Sequence, residues 1–201
     1  PPPPPPPKQG AQERAGPQNR QQPHVPHSSL RVLPSSASEI VAFYYPWYGS
    51  PATDGRWLHW NHEYLPHWEQ RVTDRHPKGR HKPPDDIGST YYPKLGPYSS
   101  RDPAVVESHM QQLVQAGVGA LSVSWYPPGQ ADNEGTPSDG LVKTLLDVAQ
   151  AHGLKVCLHV EPYANRSARS VSSDLDYISR TYGSHGALLR YGPRQLPLVF
   201  V

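Results

Sequence analysis

Cysteine, methionine and phenylalanine are almost missing from this chain of 201 residues: Cys157 and Met110 each stand alone, and phenylalanine occurs twice. A lone cysteine excludes a disulfide framework and a cysteine-paired zinc site. Its place in the run Lys155-Val-Cys-Leu-His-Val160 makes Cys157 a small buried hydrophobe rather than a reactive thiol. Long apolar runs are also missing. None approaches the ~20 residues that cross a bilayer, and no charged-then-apolar leader opens the chain. An excess of one charge is missing too. A net charge of +2 does not select nucleic acid or an anionic membrane as partner, and it suits a neutral ligand. The chain starts at Pro1 and ends in the strand-like Leu196-Pro-Leu-Val-Phe-Val201. The expectation is therefore that both ends are cut and that any membrane anchor lies in a segment absent from this sequence.

What the sequence has in excess is proline, 26 in all. Residues 1–38 are proline, glutamine, arginine and serine with almost no large apolar side chains. Such a stretch cannot offset its chain entropy by burial and reads as a disordered, proline-rich stem. The tract Pro1 to Pro7 also suits a ligand for proline-binding domains. The folded domain is expected to be 39–201.

Three apolar runs share one ending: Ile40-Val-Ala-Phe-Tyr-Tyr-Pro-Trp-Tyr48, Ala120-Leu-Ser-Val-Ser-Trp-Tyr-Pro-Pro128 and Lys155-Val-Cys-Leu-His-Val-Glu-Pro-Tyr163. Each reads as a buried parallel strand finishing in aromatic, proline and polar residues, at the end where α/β enzymes place chemistry. Between them, Asp102-Pro103 opens a helix carrying Val106, Met110, Leu113 and Val114. A second helix carries Leu141 to Ala149 and ends near Gly153. A third is capped by Ser173 and closed by Gly183, and Leu196 begins a fourth strand. The alternation predicts an α/β fold: the amino-terminal half of a (β/α)8 barrel, truncated after about four strands, with a long aromatic-rich segment from Gly49 to Arg101 folded over the site. No Gly-x-Gly-x-x-Gly supports the rival doubly wound sheet.

Candidate site residues follow from the strand endings. Glu161 ends an apolar strand, where a carboxylate needs a donor, a cation or a ligand hydroxyl; a structural ion pair is the plainer alternative. Tyr44, Tyr45, Trp47, Tyr48, Trp125 and Tyr126 could offer rings on which a sugar stacks, or could pack in the core, and Tyr163 is a further binding candidate beside Glu161. His59, Trp60 and His62 lie in the long loop. Their histidines suit hydrogen bonds to sugar hydroxyls or to the loop's own backbone better than a metal, since no His-Glu-x-x-His or cysteine pair accompanies them. No cofactor is expected. Asn165-Arg-Ser167 matches the acceptor triplet for N-glycosylation.

The strings Phe43-Tyr-Tyr-Pro-Trp-Tyr-Gly49, His59-Trp-Asn-His62, Leu121-Ser-Val-Ser-Trp-Tyr-Pro-Pro128 and Val160-Glu-Pro-Tyr-Ala-Asn-Arg166 closely resemble family 99 of the glycoside hydrolases, the endo-alpha-1,2-mannosidases, from about Ile40 to Val201. The resemblance implies a retaining, metal-free enzyme acting on glucosylated high-mannose N-glycans in the Golgi lumen; a glycan-binding relative without catalysis and an inactive truncated product are the alternatives. It implies that Trp125 stacks on a sugar and that Tyr45 and Glu161 bind near the cleaved residue, with His59, Trp60 and His62 around the glycan. The paired catalytic glutamates of that family are expected downstream of Val201, so none of the catalytic carboxylates is expected in this stretch.

Overall fold

The computed structural model describes residues 40–66 and 69–201. The expected stem, with its rival role as a ligand tract, lies outside the described residues. Four parallel strands form the central sheet, in the order β1 (Val41–Tyr44), β2 (Ala120–Trp125), β3 (Lys155–Val160) and β6 (Val199–Phe200). A crossover helix follows each of the first three strands: α3 (Pro103–Gln115), α4 (Asp139–Ala151) and α5 (Ala168–Tyr182). This is the unit pattern of a partial eight-fold barrel. Two one-turn helices, α1 (Pro51–Asp54) and α2 (Gln70–Thr73), lie in the long segment after β1. Among the described residues, no helix is long and apolar enough to cross a membrane.

Side-chain parity decides what each strand offers. Leu121, Val123 and Trp125 of β2 and Val156, Leu158 and Val160 of β3 pack outward against the helices, joined by Met110, Leu145, Leu146 and Ile178. Each fully buried Leu, Ile, Met or Val of this layer contributes about 1.5–3 kcal/mol of apolar burial. The alternate residues face the concave side: Ser122 and Ser124 on β2, Cys157 and His159 on β3, Val41 and Phe43 on β1. In-register pairing puts Ser124 directly beside His159. Cys157 is buried as expected, and its thiol points at the Leu121 carbonyl 3.4 Å away. Burial pushes that thiol's pKa up, so it stays protonated.

The helices begin where local chemistry allows. The Asp102 carboxylate accepts from the Ala104 amide and Pro103 supplies a fixed φ, which starts α3. The expected cap of α5 is corrected: Ser173 lies inside the helix, its hydroxyl donating back to the Arg169 carbonyl. Ser167 is the true cap, in a reciprocal box with Ser170 that satisfies two amides at once. The last strand also shifts. Leu196–Pro197 (β5) pairs antiparallel with Arg190–Tyr191 (β4), and the parallel sheet resumes only at Val199. Pro197 has no amide hydrogen to give a central ladder, which confines it to the short hairpin.

Candidate functional site

The chain leaves each parallel strand toward one rim, and there the three loops meet. Glu161, one residue past β3, keeps the inward parity of His159. Its Oε1 accepts a 2.6 Å bond from the Ser124 hydroxyl. His159 brings Nδ1 to 3.3 Å from the same oxygen, off the line a hydrogen bond needs. Among the described residues no arginine pairs with Glu161, and His159, when protonated, is the one cation set against it. Tyr126 follows β2 on the same parity. Burial first, then the nearby Glu161 and Asp132 carboxylates, raise its phenol pKa.

From the β1 loop a column of flat rings reaches the same rim. Tyr45 stacks on Trp47 at 4.4 Å between centroids, and Trp47 stacks on His59 at 4.7 Å. His59 holds a left-handed φ of 59° and sits 2.7 Å from the Asp132 carboxylate. A non-glycine residue in that conformation is held by its surroundings. Asp132 in turn accepts from the Glu134 and Thr136 amides. Burial raises its carboxyl pKa, but the bonds from His59, Thr136 and Glu134 outweigh burial and hold it below the ordinary value. Arg80 pairs with Glu134, and Arg101 bonds Asp54 and the Pro137 carbonyl, so the long segment is tied to the β2 loop at three places.

The rim gathers Tyr45, Trp47, His59, Tyr126 and Glu161 from the expected set, and it excludes others. Trp125 is fully buried; its indole N–H donates 2.8 Å to Asp139, and its ring lies alongside Tyr177. Outward parity gives it no face for a sugar, so the expected stacking role is corrected. Tyr44 shares that parity, with its hydroxyl 3.1 Å from His109 on α3. Trp60 is buried beneath the loop and donates to the Tyr98 carbonyl at 2.7 Å. Tyr163 turns away to α5, where its hydroxyl donates 2.5 Å to Asp174. Both ring nitrogens of His62 face carbonyls, Glu63 at 2.6 Å and Gly88 at 3.0 Å, so His62 fastens the loop's own backbone. Asn165 is exposed on the turn that precedes α5. Among the described residues, no group of three metal-ligating side chains assembles.

Ser124, His159 and Asp132 belong to the rim and were not among the expected residues. The run Leu-Ser-Val-Ser-Trp-Tyr carried the signal for the first: alternating serines mark the inner face and assign Tyr126, not Trp125, to it. Asp132 had none, since it meets His59 across 73 positions of sequence.

A parallel half-barrel with aromatic rings and the Glu161 and Asp132 carboxylates at its carboxyl rim has its polar and aromatic groups where barrel enzymes carry their sites, and suits a carbohydrate ligand. The chain belongs to glycosyl hydrolase family 99, whose model matches residues 36–201. It is similar to the human glycoprotein endo-alpha-1,2-mannosidase-like protein, 49% identical over 180 residues that cover 88% of this chain and 38% of the relative. The mouse glycoprotein endo-alpha-1,2-mannosidase is 46% identical, over 87% of this chain and 41% of its own length. Among solved structures, the family 99 endo-alpha-mannosidase of Bacteroides thetaiotaomicron aligns with a TM-score of 0.64 at 37% identity, covering 80% of this chain and 43% of that one. The chain thus spans about two fifths of the length of the relatives it matches.

Proposed function

We propose that this chain forms the sugar-gripping wall of a retaining endo-alpha-1,2-mannosidase whose substrates are glucosylated high-mannose N-glycans of the secretory pathway. The carrying observation is Glu161. Ser124 occupies its Oε1, Tyr126 stands beside it, and Oε2 has no hydrogen-bond partner among the described residues. A carboxylate oxygen at the end of a buried strand calls for a donor, and a mannose hydroxyl supplies one. Tyr45 and Tyr126 supply ring faces for the C–H side of the same sugar.

Hydrolysis needs two carboxyl groups across the glycosidic bond. Within this chain Asp132 is committed to His59 and two backbone amides, so the part proposed for these residues is binding and orientation. The test is a titration of the full chain with alpha-1,2-mannobiose, read by ligand-observed NMR. A hydrogen bond to a charged group is worth about 1.5–3 kcal/mol, so Glu161→Gln should weaken binding about tenfold or more. Tyr126→Ala should weaken it similarly. Absence of binding by the unaltered chain, or equal binding by Glu161→Gln, would overturn the reading.

A further inference from the structure

The sequence holds four asparagines, and only Asn165 begins an Asn-x-Ser/Thr triplet. Motif matches of this length arise by chance, and most are decided by where the side chain lies. Asn165 is exposed and takes a left-handed φ of 63° at the tip of the turn between Glu161 and α5. Its carboxamide makes no hydrogen bond among the described residues, while its neighbour Arg166 is anchored to the Val160 carbonyl. That nitrogen is open to solvent.

The third residue of the triplet has a second occupation. The Ser167 hydroxyl accepts the Ser170 amide as the cap of α5, and Ser170 returns a bond to the Ser167 amide. One hydroxyl therefore serves the acceptor triplet in the open chain and the helix cap in the folded one.

We infer that Asn165 is an N-glycan acceptor when the chain is made in the secretory pathway, an inference that rests on the lumenal reading above. In the step, the Asn165 carboxamide nitrogen attacks the anomeric carbon of a lipid-diphosphate-activated oligosaccharide. A C–N bond forms, the C–O bond to the diphosphate breaks, the lipid diphosphate leaves, and the amide nitrogen gives one proton to a base of the transferase.

The double use of Ser167 dictates the variants. Ser167→Ala would lose the cap as well as the triplet. Ser167→Asp keeps an N-cap acceptor and removes the triplet, and Ser167→Thr keeps both. The full chain, carried behind a cleavable leader in a eukaryotic secretory cell, is pulse-labelled and compared on gels before and after peptide N-glycosidase. A single-glycan shift is expected for the unaltered chain and Ser167→Thr, and none for Asn165→Gln and Ser167→Asp. No shift in the unaltered chain, or a shift that survives Asn165→Gln, overturns the inference. The gel reads mass on nascent chains, so it stands or falls apart from the mannobiose titration.

Discussion

Removing the Asp139 side chain should break several bonds at once. Its carboxylate opens α4 and accepts three bonds of 2.8 Å: Trp125 Nε1 and the Tyr182 hydroxyl on Oδ1, the Tyr177 hydroxyl on Oδ2. Trp125 and Tyr182 are buried, so Asp139→Ala strands the Trp125 N–H and leaves the Tyr182 hydroxyl only the residue-139 backbone carbonyl, at 3.3 Å. A bond to a charged group contributes about 1.5–3 kcal/mol and a stranded buried donor costs about 1–3 kcal/mol. Tyr177 is partly exposed and adds less. A loss of about 3–5 kcal/mol is expected, a large share of the roughly 5–15 kcal/mol that holds an ordinary domain together. Urea unfolding followed by tryptophan fluorescence measures it, with Trp125 one of the five tryptophans that contribute to the signal. Trp125→Phe removes the indole N–H together with the fused five-membered ring of a fully buried side chain, so it should lose roughly 2–3 kcal/mol, from the bond and the cavity left behind, and bind mannobiose as before. A loss below about 1 kcal/mol for Asp139→Ala would refute the account of Trp125 as a core residue held by this acid.

Two further outcomes test the loop. A Cβ on Gly88 would stand 2.5 Å from the His62 ring, so Gly88→Ala must push that ring off its carbonyl, with an expected cost of about 1–3 kcal/mol; an unchanged melting temperature would count against the tie. The Tyr64 hydroxyl, the His81 ring and the Lys82 amide lower the Asp86 carboxyl from 3.8 to about 2. Because the folded value is the lower one, this contribution is complete above pH 3.8 and disappears as pH falls through about 2. The Tyr64 and His81 ring signals in NMR should move with a midpoint near 2, and a midpoint at 3.8 would refute the network.

The sheet and its crossover helices were legible because strand runs and helical stripes have different periods, and because Asp102-Pro103 and Gly183 punctuate them. The rim was legible in part. In a strand covered on both faces almost every residue is apolar, so hydrophobicity alone does not show which way Tyr44 or Trp125 points. The small polar residues do: Ser122, Ser124 and His159 share a face, and two-residue steps from them lead to Tyr126 and Glu161. Ser167, and not Ser173, is the cap for a different reason. Both are serines before apolar positions, and the reciprocal bond with Ser170 that decides between them is visible only in three dimensions. The ties His59 to Asp132 and Arg80 to Glu134 join distant loops, and no local pattern announces them.

Those ties bear on how a ligand is captured. With the ring column of Tyr45, Trp47 and His59 clamped to the neighbouring loop before any sugar arrives, the loss of freedom in ordering these side chains is incurred during folding and not during association. On the proposed reading, an oligosaccharide would then meet a finished surface. Its own flexibility, rather than that of the polypeptide, becomes the main entropic toll of the encounter.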